Sequence, residues 1–372
     1  MIRVLHSVSN MDRAGIETMI MNYYRHIDRN KVQFDFLCNK QKPGAYDDEI
    51  LKMGGRIFHS PGLNPLKWKQ YEESVIDILN NNKDIKIVHS HNGAFSLQAQ
   101  IAAKKQGIKN RIVHVHGTKI DFNLKLPLKM LYKTKLKKYA NNYWGCGTEA
   151  VKYYFGQETI NSNNYLVIRN AIDEDRFIYN ETKRNEIRSK YNLDSKFVIG
   201  NVARFMKQKN HTFTLDLFKE IVEKEPNAVL VLLGDGELLD EMKNKAKSLN
   251  IENSVMFLGN VNNVNEMYQA MDLFLLPSLF EGLPVVGIEA QAAGLKCVMS
   301  DTVTNEVAIT ENVQFIGLNR PINEWVDAIL KNRQYERKNM KDDIINAGYS
   351  IKEEAKKLQE IYEKMGEEAW KK

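Results

Sequence analysis

The feature that most constrains this chain is a pattern that runs twice. Short runs rich in β-branched and aromatic residues alternate with longer amphipathic stretches, and midway the alternation restarts. In the first half the short runs fall at residues 2–6, 33–38, 56–59, 85–89, 111–116 and 143–145, with helical stretches such as 17–26, 68–80 and 94–106 between them. In the second half the short runs fall at 197–203, 228–234, 254–258, 273–277, 296–300 and 314–316, separated by helical stretches at 212–224, 238–249, 264–270 and 285–293. Strands that alternate with helices imply parallel sheets covered by helices on both faces. The fold class is therefore α/β, with two doubly wound parallel-sheet domains. The predicted division gives residues 1–175 to the first domain and 176–349 to the second. A Lys- and Glu-rich helix at 350–372 carries the stripe Leu358, Ile361, Tyr362, Met365 and Trp370, which either caps its own domain or packs back on the first.

The length of 372 residues suits two such domains, each of about 150–200 residues. No run approaches the roughly 18–20 consecutive apolar residues of a membrane helix. The first residues enter a strand-like run with no signal-peptide pattern, so a cytoplasmic protein is expected. Cys38, Cys146 and Cys297 are far apart and form no CxxC, which reads as three buried small hydrophobes. Charge is uneven. Residues 1–180 hold 27 basic and 17 acidic residues, whereas the rest hold 26 and 30. A basic half joined to a mildly acidic half suggests an anionic partner.

Open parallel sheets bind ligands at the C-terminal ends of their strands, so two such sheets suggest a cleft between those edges. Five clusters lie near such ends. Residues 278–290, SLFEGLPVVGIEA, run from a strand end through a turn into a helix that starts near Pro284. That helix start suits a phosphate, and carboxylates at Glu281 and Glu289 suit sugar and ribose hydroxyls. A helix-capping Glu281 and a solvated Glu289 are the bland alternative. Residues 200–211, GNVARFMKQKNH, place Arg204 and Lys209 after the first strand of the second domain, where two cations would neutralise a diphosphate; an ordinary basic surface loop has the same appearance. The first strand-to-helix turn holds Gly15, which lets backbone approach a ligand. There is no GxGxxG, so a nicotinamide or flavin site is not supported, and Gly234-Asp235-Gly236 reads as a turn near a nucleotide at most.

The fourth cluster is two HxH pairs, His89 with His91 and His114 with His116, each on one face of a strand. No Cys, Asp or Glu sits locally to complete a metal site, so no metal is assigned. His116, followed by Gly117, suits a sugar hydroxyl, and the other three suit structural roles. In the fifth, residues 125–139 set Leu128, Leu131, Tyr132, Leu136 and Tyr139 among lysines. This fits either a helix on an anionic membrane surface or a core helix with a basic outer face. No nucleic-acid-binding module accompanies the charge.

Taken in order, these motifs resemble the family 4 glycosyltransferases of GT-B fold over nearly the whole chain, and most closely bacterial enzymes that build capsular or extracellular polysaccharide. The strongest element is E-x7-E, Glu281 to Glu289, joined by Arg204 with Lys209, the Gly-Asp-Gly turn and residues 270–278, AMDLFLLPS. The chain departs from the family at Ala14 and Ala203, where glycine is usual.

The resemblance implies two Rossmann-like domains facing a central cleft and a retaining hexosyltransferase that needs no metal or other cofactor. Its donor would be a nucleotide-diphosphate sugar, a UDP-sugar in the first instance, carrying a hexose or N-acetylhexosamine. Its acceptor would be a saccharide or lipid-linked saccharide. Arg204 and Lys209 would hold the diphosphate and Glu289 the ribose. Glu281 would bind the donor sugar, aided by backbone at Gly282, Leu283 and Val285. Gly15 would face donor and acceptor, and His116 would act near the reaction centre. A nucleotide-sugar 2-epimerase and a non-catalytic nucleotide-sugar-binding partner are the competing expectations.

Overall fold

The computed structural model describes residues 1–117, 126–261 and 263–370. It forms two compact units, Met1–Ala171 with Ile351–Lys372, and Ile172–Ser350.

The first unit is a seven-stranded sheet of β1 (Ile2–Val8), β2 (Val32–Cys38), β3 (Ile57–His59), β4 (Ile85–Ser90), β5 (Asn110–Val115), β6 (Asn142–Gly145) and β7 (Leu166–Val167). Its order is β3-β2-β1-β4-β5-β6-β7, and every pairing is parallel. The second unit is a six-stranded sheet of β8 (Phe197–Val202), β9 (Ala228–Leu233), β10 (Val255–Gly259), β11 (Leu273–Leu276), β12 (Lys296–Ser300) and β13 (Val313–Ile316). Its order is β10-β9-β8-β11-β12-β13, again all parallel. Each sheet reverses its winding once, between β1 and β4 and between β8 and β11. That reversal opens a crevice at the strand ends where doubly wound folds hold ligands.

Helices on both faces explain the apolar strand sequences. β9 reads Ala-Val-Leu-Val-Leu-Leu, and five of its six residues are buried. β2 is buried throughout and carries Asp35, whose carboxylate is ion-paired with Arg3 at 2.5 Å and Arg56 at 2.6 Å. Those pairings are what allow a charge inside the sheet. The edge strand β7 has only two residues, too few to leave a period in the sequence.

The Ile351–Trp370 helix belongs to the first unit and packs against the Gly15–His26 helix and β1, β2 and β4. Leu358 and Tyr362 are buried there, with Ile361 and Met365 partly buried beside them. The side chain of Trp370 lies outside the described residues.

The Leu126–Tyr139 helix packs one face on the core and leaves the other exposed. Tyr132 and Leu136 are buried, and Leu128 and Tyr139 pack on the same cluster. The stripe expected to be continuous is therefore split. Leu131, at 49% exposure, faces outward with Met130 at 43%. Lys125 of that segment lies outside the described residues. All three cysteines are buried, and none forms a disulfide among the described residues. Among the described residues no helix is long and apolar enough to cross a membrane.

Candidate active site

In the second unit, two segments leave the sheet where its winding reverses. After β8 the chain passes Ala203 and Arg204, makes a short turn at Lys207–Lys209 and enters the His211–Lys224 helix. Asn210 joins turn to helix in the left-handed region, at φ 57°, a conformation asparagine tolerates better than most residues. After β11 the chain passes through 277–284 into the Val285–Ala292 helix. The two segments are tied together. The Leu279 amide donates to the Gln208 carbonyl at 2.8 Å, and the Asn210 amide group donates to the Pro277 carbonyl at 3.0 Å. Ser300 and Thr302, at the end of β12, donate to the Ser278 carbonyl at 2.5 and 2.7 Å.

This frame brings Lys209 and Glu281 into direct contact. The ammonium and the carboxylate form an ion pair with side chains only 17% and 8% exposed. Ser278 donates to the same carboxylate at 2.8 Å, and the Gln208 amide group donates at 3.3 Å. Glu281 is therefore not a helix cap. It is a buried anion held by a cation and two neutral donors, and no side chain caps the helix that follows. The Gly287 amide donates to the Pro284 carbonyl at 2.9 Å, which leaves the Val285 and Val286 amides and the helix's partial positive charge to an anion. A Cβ added at Gly282 would meet nothing within 4 Å, so the turn is open there. Leu283 and Val285 flank it, each partly buried.

Glu289 lies about one turn into that helix and is not a solvated surface charge. The Tyr268 hydroxyl lies 2.9 Å from its carboxylate and 3.2 Å from the Val286 carbonyl. Burial raises its pKa from 4.5 to about 7, against the lowering effects of Tyr268 and Arg176. Arg204 touches neither glutamate. Its side chain is 67% exposed and ion-paired with Glu237 at 3.7 Å, so little holds its guanidinium in place. Gly234 has a packing role. With φ 136°, a Cβ there would come within 2.1 Å of the Ala203 carbonyl oxygen. The Gly-Asp-Gly turn thus lies directly on the backbone that carries Arg204, and the Phe205 amide donates to the Asp235 carbonyl at 2.9 Å.

In the first unit, Gly15 opens the helix after β1, and a Cβ there would meet nothing within 4 Å. The strand expected at 111–116 ends at Val115, so His116 stands just beyond β5. Its Nε2 is 2.9 Å from His91 Nδ1, and His91 Nε2 is 3.0 Å from His6 Nδ1. His89 Nδ1 is 2.7 Å from the Tyr362 hydroxyl, while neither nitrogen of His114 has a partner among the described residues. Two triplets, His6-His89-His91 and His91-His114-His116, each bring one nitrogen per residue within 4.8 Å of the others. Burial holds all five imidazoles below the usual histidine range, His6 and His116 at about 3.

Residues 13–176 match the family described as Glycosyltransferase Family 4, and residues 183–350 match Glycosyl transferases group 1. A Bacillus subtilis protein named as the glycosyltransferase EpsF is 35% identical over 368 residues, covering 97% of this chain and 96% of its own. The chain belongs to the family 4 glycosyltransferases. It is also similar to an Escherichia coli UDP-Gal:alpha-D-GlcNAc-diphosphoundecaprenol alpha-1,3-galactosyltransferase, 26% identical with 94% and 93% coverage. In fold it is similar to Anabaena HepE, solved in complex with UDP and glucose, at a TM-score of 0.72, 15% identity and 99% and 98% coverage. Both units of this glycosyltransferase are thus Rossmann-like, and the fold is GT-B.

Four residues packed on the candidate clusters escaped sequence reasoning. Ser278 and Gln208 hold Glu281, yet neither residue type stands out in a loop. Tyr268 holds Glu289 from another helix, 21 positions away. His6 joins the histidines only through the β1–β4 register, which pairs it with His89.

Proposed function

We propose that this glycosyltransferase moves a hexose or N-acetylhexosamine, with retention of anomeric configuration and without a metal ion, from a UDP-sugar to a lipid-linked saccharide in polysaccharide assembly. The observation that carries the reading is the Lys209–Glu281 pair beside the uncapped start of the Val285–Ala292 helix. A cation and a helix N-terminus favour a diphosphate, and a neighbouring carboxylate favours sugar hydroxyls. One turn of chain thus offers both halves of a nucleotide-sugar their preferred partners.

The chemistry follows from these groups. As the bond to the anomeric carbon breaks, charge collects on the leaving diphosphate. Lys209 and the helix-terminal amides stabilise it from fixed positions and the exposed Arg204 guanidinium adds its charge, the task that a divalent cation would otherwise perform. Glu289 accepts from the ribose, Glu281 orients the sugar with backbone at Gly282, Leu283 and Val285, and His116 contacts the sugar. Gly15 leaves room for backbone beside the ligand. The acceptor hydroxyl attacks the face from which the diphosphate leaves, and its proton passes to the departing phosphate oxygen.

The choice of UDP and of a lipid-linked acceptor is supported by the relatives' names: one takes UDP-Gal and acts on a diphosphoundecaprenol, and HepE holds UDP. Exposed Met130 and Leu131 beside Lys135 and Lys138 suit an anionic membrane surface. Vesicles containing phosphatidylglycerol should bind the protein at low salt and release it at high salt; no binding at low salt removes the membrane from the proposal.

The test of the donor site is a thermal-shift series with UDP, GDP and ADP in the presence of EDTA, followed by transfer assays of Lys209→Ala and Glu281→Ala. A nucleotide at 100 times its Kd stabilises by about 2.7 kcal/mol. The proposal expects that shift with UDP and loss of transfer in both variants. Wild-type transfer rates in both, or an epimerised nucleotide-sugar formed with no acceptor, would sink it.

A further inference from the structure

The sheet of the first unit carries a row of imidazoles of which the proposed transfer uses His116 alone. His6 is on β1, His91 just after β4 and His116 just after β5, on three strands that neighbour one another. His6 pairs in register with His89, and His91 lies two residues further on, so its side chain falls on the same face. The two ring-to-ring contacts have centroid separations of 5.3 and 5.2 Å and interplanar angles of 20° and 29°. With nitrogens 3.0 and 2.9 Å apart, those are rings meeting edge to edge in nearly one plane, the direction of in-plane N–H groups and lone pairs.

The other contacts differ. His89 lies over His91 at 4.3 Å, and His114 over His116 at 4.2 Å, face to face. Stacked rings turn their π faces to each other and do not aim lone pairs at one point, as a shared metal ion requires. The geometry is a hydrogen-bonded row braced by stacking.

A neutral imidazole has one N–H and one bare nitrogen. Two hydrogen bonds through three such rings therefore allow only two proton arrangements. In one, every ring donates toward His6, and His116 Nδ1 is bare. In the other, every ring donates toward His116, and His116 Nδ1 carries the proton. His6 Nε2 and His116 Nδ1, the two ends, have no partner among the described residues. The His6 end is enclosed by Phe34, Phe36 and Tyr362. The character of His116 Nδ1, itself buried, is thus tied to a residue in the sheet core. Burial keeps all three rings neutral at physiological pH, which preserves the coupling.

We propose that His91 and His6 are positioning residues for His116, fixing through two ring-to-ring hydrogen bonds the plane of its imidazole and coupling the placement of its proton to the tautomers of the two rings behind it when it meets the transferred sugar. The inference rests on the reading of His116 given above.

The test has two parts. In protein labelled with 15N-histidine, the unaltered chain should show through-hydrogen-bond 15N–15N coupling at both contacts, with one protonated and one bare nitrogen on each ring. His91→Phe keeps a ring in the stack but removes both bonds. It should lower kcat about 10- to 100-fold, the range for supporting partners of a site, with donor KM nearly unchanged and the fold intact by circular dichroism. His91→Asn keeps an amide near the position of Nδ1 and should recover most of the loss. Absence of the couplings, stoichiometric metal in the purified protein, wild-type kcat in His91→Phe, or equal impairment in Phe and Asn variants would each overturn the proposal. Unchanged transfer in His116→Ala, with both couplings present, would instead overturn the role given to His116 and leave the proton-linked row standing.

Discussion

Glu289→Gln should stabilise this protein at alkaline pH while weakening donor binding. Folding raises the carboxyl's pKa from 4.5 to about 7 because burial disfavours its charge. The sign follows from linkage. With the folded pKa above the unfolded one, the contribution is full below pH 4.5 and is lost as pH rises through about 7. A shift of this size corresponds to roughly 3 kcal/mol at about 1.4 kcal/mol per pH unit. Glutamine carries no charge and still offers an oxygen to the Tyr268 hydroxyl. At about pH 5 the two proteins should therefore differ by under about 0.5 kcal/mol. At about pH 8.5 the variant should be more stable by roughly 3 kcal/mol, or about 6–12 °C in Tm for a unit of this size. Urea titrations at both pH values, followed by tyrosine and tryptophan fluorescence, measure it. A variant no more stable at the higher pH, or a difference that fails to grow between the two, would refute the argument that burial strains this carboxylate.

Other consequences are more local. If the ribose needs Glu289 ionised, UDP affinity should be about tenfold weaker near pH 6 than near pH 8, as a group with a pKa near 7 requires, and calorimetry on Glu289→Gln should show no such dependence. Lys209→Ala and Glu281→Ala should each destabilise by roughly 3 kcal/mol, since each leaves a nearly buried charge without its main partner, and the double variant should cost less than their sum; strict additivity in urea titrations would mean that the pair is not coupled. Gly234→Ala should destabilise by roughly 3 kcal/mol through strain at positive φ and collision with Ala203; a thermal midpoint equal to wild type would contradict that geometry.

Much of the architecture is legible because doubly wound sheets follow from alternation alone. Buried parallel strands are apolar runs, and helices between them have one apolar face. That logic recovers twelve of the thirteen strands and fails at β7, whose two residues carry no period. It also fails to separate a core helix from a surface one at 126–139, because a stripe among lysines suits both. Only the contacts of Tyr132 and Leu136 with the first unit's core decide it. The candidate residues stand out for a topological reason. Arg204 and Lys209 follow β8, and Glu281 follows β11, the two strands between which the winding reverses. Their partners Ser278, Gln208 and Tyr268 are ordinary residues made specific by three-dimensional proximity, which no spacing rule encodes.

The two glutamates of E-x7-E also solve opposite electrostatic problems, and that difference argues for a ligand. Glu281 is charged and held by Lys209, Ser278 and Gln208, an arrangement that keeps its direction fixed. Glu289 has one tyrosine hydroxyl at hydrogen-bond distance and a pKa raised by burial. A fold selected for stability alone gains nothing from a partly buried carboxylate whose ionisation costs roughly 3 kcal/mol. A site that must accept hydrogen bonds from a ribose does gain. A desolvated carboxylate forms stronger hydrogen bonds than one already surrounded by water, and the diol supplies the donors that the protein withholds. On the proposed reading, the electrostatic strain at Glu289 and the self-pairing of Lys209 with Glu281 are two ways of preparing charge for a ligand with both hydroxyls and phosphates.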